Sequence, residues 1–381
     1  MIFLDYETLR FLWWVILGLL LIGFVILDGF DLGMAIFVPF LGKNDEERRI
    51  MINTIAPVWE GNQVWLILGA GASFAAWPYV YAVSFSGLYG AMFLALFGLI
   101  LRPVGFKFRS KMPNTSWRKC WDGLIFMGGF VPSLIFGVAF GNLFLGLPFY
   151  FDETLRVYYT GSFLELLTPF TLICGCLSVA MMLLQASTYG ALKTRLVLQQ
   201  RFKISGQWVV FGIIVLFTGA GFYIYEEIPG YLLSEPWVRD APSNPLHKHV
   251  LSMPQGWLLN YEKFSWMLSF PIGTYVFLSL TFLGLKLKHY GAAFIASSLS
   301  IFGIMATAGL SLFPFLLASS THPSQSLTVW DASSSKTTLF IMLLAVVILL
   351  PMVVGYTLWV YRVLKGPVTR KTLEDNHTNA Y

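Results

Sequence analysis

The chain has 381 residues, of which 56% are hydrophobic and 12% are charged, and its mean hydropathy is +0.68. A soluble globular domain carries roughly 25% charged residues, so this composition excludes a soluble multidomain enzyme and predicts a polytopic membrane protein. The formal net charge of +5 follows membrane topology, as shown below, and does not indicate nucleic-acid binding. The three cysteines give no disulfide framework.

Apolar runs of about 20 residues mark membrane-spanning helices. The first run, from Phe11 to Leu27, is too long for the apolar core of a signal peptide, so we expect it to be retained. The clear break between the second and third spans is Ala76-Trp77-Pro78-Tyr79. Nine spans are predicted, at roughly 11–39, 62–82, 84–106, 122–146, 164–188, 206–226, 265–285, 291–317 and 337–362.

Basic residues are concentrated in alternate connecting segments. Lys and Arg accumulate on the cytoplasmic side of membrane proteins, and most of the 25 basic residues fall within 43–49, 102–119, 193–203, 286–288 and 362–371. This asymmetry predicts an external N-terminus, a cytoplasmic C-terminus and nine spans. The whole chain, 1–381, is then one integral membrane domain with an external loop at roughly 227–264 and a cytoplasmic tail at roughly 363–381.

Three acidic residues lie within the predicted spans or at their start. Asp28 and Asp31 fall in the first span, and Glu60 opens the second. A carboxylate in hydrocarbon costs about 2.5–3.5 kcal/mol on insertion scales, so such groups usually face a bundle interior and carry ions or protons. Asp28 and Asp31 share one helix face, and Gly29 and Gly33 would let another helix approach it closely.

The predicted orientation places Asp28, Asp31 and Glu60 in the inner half of the membrane. Arg102, at the inner end of the third span, is placed to pair with them. The sequence therefore predicts an acidic funnel that opens to the cytoplasm and serves proton uptake. The alternative interpretation is that these groups cap helix ends or form buried ion pairs.

Histidine is absent before His247. Haem and zinc sites depend strongly on imidazole, so the first six spans are poorly equipped to hold a redox centre or metal. We therefore predict a chain that conducts protons or shapes a path, without a directly bound cofactor or metal.

The sequence resembles subunit II of the cytochrome bd-type ubiquinol oxidase along essentially its full length. Several ordered motifs carry this resemblance. They are Asp5-Tyr6-Glu7-Thr8-Leu9-Arg10-Phe11, Asp28-Gly29-Phe30-Asp31-Leu32-Gly33, Asn44-Asp45-Glu46-Glu47-Arg48-Arg49, Trp59-Glu60-Gly61-Asn62-Gln63-Val64-Trp65, Arg102-Pro103-Val104-Gly105-Phe106, Gly137-Val138-Ala139-Phe140-Gly141-Asn142 and Ser326-Leu327-Thr328-Val329-Trp330-Asp331-Ala332.

The resemblance implies an all-α fold of two four-helix bundles and one extra helix. It implies a non-haem subunit of a quinol:dioxygen oxidoreductase in the bacterial cytoplasmic (inner) membrane, which is inactive alone. Haems b and d would lie in the partner, subunit I, and quinol and dioxygen would be substrates of the complex. Some members hold a structural ubiquinone in subunit II, although no local motif assigns such a site here. A small single-helix subunit is left open.

Site roles follow from the same motifs. The resemblance implies that Asp28, Asp31 and Glu60 line a proton route, and that Trp65 lies near oxygen entry. It implies no catalytic residue in this subunit. Glu60 stands where some relatives carry Asp, so the acid is kept but reaches one methylene further.

Two other classes of function fit part of the pattern. A proton-coupled secondary transporter would suit nine spans and an inner acidic cluster, although no inverted repeat or pair of broken helices is evident. A purely structural scaffold for the haem subunit would tolerate neutral substitution of all three carboxylates.

Overall fold

The computed structural model describes residues 4–234 and 238–370. Residues 371–381 of the predicted cytoplasmic tail therefore lie outside the described residues. In chain order the helices are α1 (Tyr6–Leu41), α2 (Asp45–Ile55), α3 (Trp59–Ala76), α4 (Pro78–Gly87), α5 (Tyr89–Phe108), α6 (Thr115–Leu145), α7 (Pro169–Lys193), α8 (Leu196–Glu227), α9 (Leu259–Lys263), α10 (Ser269–Lys286), α11 (Tyr290–Leu312) and α12 (Lys336–Val363).

The predicted all-α polytopic class is confirmed. Eight helices of the described residues are long and apolar enough to cross a membrane, and the bent pair α3–α4 raises this number to nine if it forms one span. Helices α1, α3, α5 and α6 pack together, as do α7, α8, α10 and α11, and α1 and α7 join the two groups. Helix α12 packs on α1 and α3 from outside.

The second and third spans depart from their predicted boundaries. The structure breaks the chain at Trp77, where α4 turns by 120° from α3, and again at Leu88 before α5. Pro78 explains the first break, because proline lacks an N–H and disfavours helical geometry at the preceding residue. The break predicted at 76–79 is confirmed, whereas the predicted span boundary between 82 and 84 is wrong, because those residues lie within α4.

Three short antiparallel hairpins cover one end of the bundle, which we call the capped end. Strands β1 (Phe149–Phe151) and β2 (Val157–Tyr159) follow α6, and β3 (Gly230–Leu233) and β4 (Val250–Met253) follow α8. Strands β5 (Phe315–Leu317) and β6 (Leu327–Thr328) follow α11. The predicted eighth span, 291–317, is therefore too long at its end, because α11 stops at Leu312 before Pro314.

Buried charges tie the capped end together. The Nζ of Lys248 lies 2.6 Å from Oδ2 of Asp331, and both side chains are buried. Burial lowers the pKa of the Lys248 ammonium, and the Asp331 carboxylate opposes that shift. Arg10 is fully buried and donates to Ser333 and Ser243 hydroxyls and to the carbonyls of Arg239 and Ala241.

The opposite end, which we call the charged end, comprises the loops around α2 and the α5–α6 connection. Arg109 lies 2.5 Å from Asp122 and 2.9 Å from Asp45, and Arg48 lies 2.6 Å from Asp122. Arg118 pairs with the same Asp45 at 2.8 Å. These pairs join the end of α5 to the starts of α2 and α6.

Candidate functional site

A buried ion pair joins α1 to α5. Arg102 Nη2 lies 2.8 Å from Asp28 Oδ1, and neither side chain is exposed. Both residues lie in the half of their helix nearer the charged end. A β-carbon on Gly128 would lie 2.9 Å from the Arg102 backbone nitrogen, so α6 seals the pair from the side.

A second polar contact brings together three helices. Asn62 of α3 donates from Nδ2 to Asp31 Oδ2 at 2.8 Å, and Tyr361 of α12 donates from its hydroxyl to Asn62 Oδ1 at 2.7 Å. Asp31 and Asn62 are almost fully buried. The Asp31 carboxyl, on the same helix face as Asp28, is therefore the start of a chain of hydrogen bonds that runs through Asn62 to Tyr361.

Hydrogen-bonding capacity remains unused around these acids. Asp28 Oδ2, Asp31 Oδ1, Arg102 Nε and Arg102 Nη1 are buried and have no hydrogen-bond partner among the described residues. Most buried polar groups in proteins are paired, and an unpaired one costs about 1–3 kcal/mol. Four such atoms lie on these three neighbouring residues, beside a buried ion pair of the kind that the alternative interpretation predicts.

Close helix packing surrounds the acids, as the sequence predicted around Gly29 and Gly33. A β-carbon on Gly33 would lie 2.1 Å from the Met182 carbonyl oxygen of α7, and one on Gly129 of α6 would lie 2.4 Å from the Leu32 carbonyl oxygen. Neither position accepts a larger residue without moving a backbone. The two neighbouring helices therefore exclude lipid from the Asp28 and Asp31 face of α1.

Glu60 does not join this buried group. It lies in the first turn of α3 and is exposed, and it makes no hydrogen bond or ion pair within residues 4–234 and 238–370. Asn62, two residues later, occupies the inward position that meets Asp31. The predicted depth is similar, since two residues correspond to about 3 Å along a helix, but the side chain points outward.

Trp65 lies at the contact of α1 and α3. A β-carbon on Gly23 would lie 2.5 Å from Trp65 Cε3, so the indole covers the backbone of α1 there. The ring is half-buried and packs with the apolar core that includes Phe24 and Val25. Its buried Nε1 has no hydrogen-bond partner in the described part of the chain.

Sequence reasoning missed Asn62 and Tyr361 as members of the site. Asn62 stands in the Trp59–Trp65 motif, and an amide two residues from a membrane carboxylate was an available signal. Tyr361 is 299 residues away from Asn62 in the chain, and only the docking of α12 brings it there. No group of three or more His, Cys, Asp or Glu side chains in the described residues is arranged to hold a metal ion.

Fold and site together define a polytopic α-helical membrane protein with ionisable groups sealed in its interior. The family described as cytochrome bd terminal oxidase subunit II matches residues 9–364. The chain belongs to that family, and it is a subunit of an oxidoreductase complex.

Individual relatives match along their whole length. The chain is 47% identical to cytochrome bd-I ubiquinol oxidase subunit 2 of Escherichia coli (strain K12), over 99% of this chain and 100% of that one. It is 44% identical to a probable cytochrome oxidase subunit 2 of Haemophilus influenzae, with the same coverage. The Bacillus subtilis cytochrome bd ubiquinol oxidase subunit 2 is 32% identical over 96% of this chain and 98% of the relative.

A solved structure supports the fold. The structure of bd oxidase from Geobacillus thermodenitrificans superimposes with a TM-score of 0.63 at 17% identity, covering 94% of this chain and 99% of that chain. These full-length matches do not favour the secondary-transporter hypothesis.

Proposed function

We propose that this chain is the non-haem subunit of a membrane complex that oxidises ubiquinol and reduces dioxygen to water. The named relatives support the substrate class. The observation that carries a role for this subunit is the buried Asp28–Arg102 pair beside Asp31, with unpaired atoms on all three residues. Ionisable groups inside a membrane are rare, and they mark ion or proton pathways by default.

The haems of the complex are assigned to the partner, subunit I. The scarcity of histidine in the membrane helices supports this assignment, because imidazole is the commonest ligand of b-type haem iron. The location proposed is the bacterial inner membrane. A small single-helix subunit and a structural ubiquinone in this chain are compatible with the family and have no specific support in these contacts.

The proposed proton route runs from the charged end towards Asp31 and Asp28. A carboxylate that shares a hydrogen-bonded chain with Asn62 and Tyr361 can accept a proton and pass it on when a partner rotates. Arg102 holds Asp28 by one nitrogen and keeps positive charge beside the pair. In this proposal, subunit I catalyses electron transfer.

Glu60 contributes at the subunit boundary in this proposal. It shares an outward stripe of α3 with the exposed side chains of Val64 and Ile67. Asn62, two residues after Glu60, bonds to Asp31, so Glu60 lies at about the depth of Asp31. Asp31 lies ten residues, or roughly 15 Å, before the end of α1. A carboxylate at that depth is costly against lipid, so we assign this stripe to the contact with subunit I.

Trp65 belongs to the proposed oxygen path. Its indole is half-buried between α1 and α3 among apolar side chains, and dioxygen, a small apolar molecule, partitions into such surroundings. The assignment predicts that a smaller side chain at Trp65 changes the dependence of turnover on oxygen more than its maximum rate.

The first test is a dithionite-reduced minus oxidised visible spectrum of the complex purified mildly through a tag on this chain, beside the chain expressed alone. Bands of haems b and d in the complex only are expected. Absence of haem from both samples would contradict membership of an active oxidase complex.

The second test separates a proton role from scaffolding. We expect Glu60→Gln to slow oxygen reduction while the haem spectrum stays unchanged. Glu153→Gln is the matched control, because Glu153 is an exposed glutamate near the capped end. Wild-type turnover in Glu60→Gln would remove Glu60 from the mechanism. Wild-type turnover after neutral substitution of Asp28, Asp31 and Glu60 would favour a scaffold.

A further inference from the structure

A basic cavity lies at the charged end, away from the Asp28 group. Its volume is about 240 Å³, and it lies where α1 and α5 end and where α6 begins. It is smaller than the roughly 300–1,000 Å³ typical of sites for drug-sized ligands, so it suits a small anion or one headgroup. Its wall is formed by Lys43, Asn44, Asp45, Arg48, Arg109, Thr115, Arg118 and Lys119.

The cavity wall carries more positive charge than its ion pairs neutralise. Five of the wall residues are Lys or Arg, and Asp45 is the one acidic member. Asp122, behind the wall, is shared by Arg48 and Arg109. Lys43 and Lys119 are exposed and form no ion pair within the described residues.

Arg109 supplies an independent sign of a ligand. Its side chain is 1% exposed, Nε is bound to Asp122 and Nη2 to Asp45. The remaining nitrogen, Nη1, is buried and has no hydrogen-bond partner in the described chain. A guanidinium presents its donors in a fixed planar fork that matches phosphate oxygens, so this wall residue offers an unused phosphate-type donor.

Two tryptophans of α6 lie beside the cavity wall. Trp117 Nε1 donates to the Phe108 carbonyl at 2.9 Å, and Trp121 stacks on the Phe108 ring. Both tryptophans lie in the first turns of α6, beside Thr115 and Lys119 of the wall. Tryptophan is enriched at the membrane–water interface, and this enrichment favours a cavity mouth at the level of lipid headgroups.

We propose that this cavity binds the phosphate group of an anionic phospholipid. The phosphate accepts from Arg109 Nη1 and is held by the charges of Lys43 and Lys119, while the acyl chains lie along the apolar surface of α5 and α6. Basic pockets between membrane helices bind anionic headgroups by this chemistry. A free phosphate ester shares the chemistry, and interfacial depth favours the lipid as the source.

The test measures lipid bound to the intact oxidase complex by native mass spectrometry. The complex is exchanged from phosphatidylcholine into mixtures with increasing phosphatidylglycerol, and glycerol phosphate is added in a parallel series. Saturable retention of phosphatidylglycerol is expected, without retention of phosphatidylcholine. Lys43→Gln/Lys119→Gln should weaken retention about 30-fold, and Lys119→Gln alone about fivefold, from the usual contribution of a basic residue near an anionic surface.

The matched control is Lys286→Gln/Lys288→Gln, which removes the same charge from two exposed lysines at the α10–α11 connection. It should retain phosphatidylglycerol as the wild type does. Equal retention by the two double variants would overturn the proposal, as would equal retention of phosphatidylcholine. Displacement of the lipid by glycerol phosphate at equal concentration would overturn the lipid assignment in favour of a free anion. Lipid retention is independent of turnover, so this outcome does not depend on the proposed function.

Discussion

Two buried arginines show how differently the capped end and the interior of this bundle use charge. Arg10, at the capped end, donates from all three of its nitrogens to hydroxyl and carbonyl oxygens. Arg102, in the interior, donates from one nitrogen to Asp28, and its other two are unpaired within the described residues. Both side chains are fully buried.

The difference separates a structural cluster from a group with spare capacity. At the capped end the Arg10 contacts and the Lys248–Asp331 pair fasten loop to helix, and disturbing them should affect stability alone. In the interior, unpaired atoms raise the free energy of the folded chain, and such a cost is typical of functional sites. The comparison therefore predicts that substitutions at the capped end affect stability and that substitutions in the Asp28, Asp31 and Arg102 group affect turnover.

The largest effect on stability is expected at the capped end, from Lys248→Met. Removing one partner of a buried pair costs about 3–5 kcal/mol, because the other charge is left uncompensated. The double variant Lys248→Met/Asp331→Asn should recover much of that loss. Thermal unfolding of the purified complex measures both, and turnover per haem should stay at the wild-type level. A double variant no more stable than the single one would contradict the buried-pair account.

The next effect is expected on turnover, from Asp31→Asn. The amide keeps the shape of the side chain and can still accept from Asn62, so the unfolding temperature should change little. Oxygen consumption should fall about a hundredfold, the lower end of what a positioned proton-transfer group contributes. Asp152→Asn, at the partly exposed turn between β1 and β2, provides the charge control, because the amide oxygen can still accept from Thr154 and Arg156. A stable Asp31→Asn complex with wild-type turnover would remove Asp31 from the route.

A smaller effect, on stability, is expected from Gly33→Ala, which disturbs the packing of α1 against α7 beside Asp28 and Asp31. The added methyl meets the Met182 carbonyl of α7, and overpacking of this kind costs about 1–3 kcal/mol. Gly18→Ala is the matched control on the same helix, because no atom lies within 4 Å of its new β-carbon. Equal unfolding temperatures of the two variants would show that α1 and α7 separate without cost.

The smallest effect is expected from Tyr361→Phe. This change removes the 2.7 Å hydrogen bond to Asn62, and a neutral hydrogen bond contributes about 0.5–1.5 kcal/mol. Turnover should fall by less than in Asp31→Asn, since the carboxyl itself remains. A fall as large as that of Asp31→Asn would instead make the tyrosine hydroxyl an essential member of the route.

Hydropathy and charge were sufficient to predict the spans, because a bilayer imposes length and polarity on every crossing helix. The sequence located the break at 76–79, but hydropathy could not end the second span there, since the residues after Pro78 are as apolar as a span and turn away only in the fold. The position of Glu60 along α3, level with Asp31, could also be predicted. The outward direction of its side chain could not, because it depends on how α3 packs against α1. The role of Tyr361 could not be predicted from the sequence, because its partner Asn62 lies on another helix.

The position of Tyr361 near the end of the chain also bears on biosynthesis. Membrane helices enter the bilayer in the order in which the ribosome makes them, so α1 and α3 are present long before α12. Asn62 therefore cannot bond to Tyr361 until α12, the last described helix, has been inserted. The polar network is therefore completed only when α12 has been inserted, and a chain truncated before α12 leaves that network open.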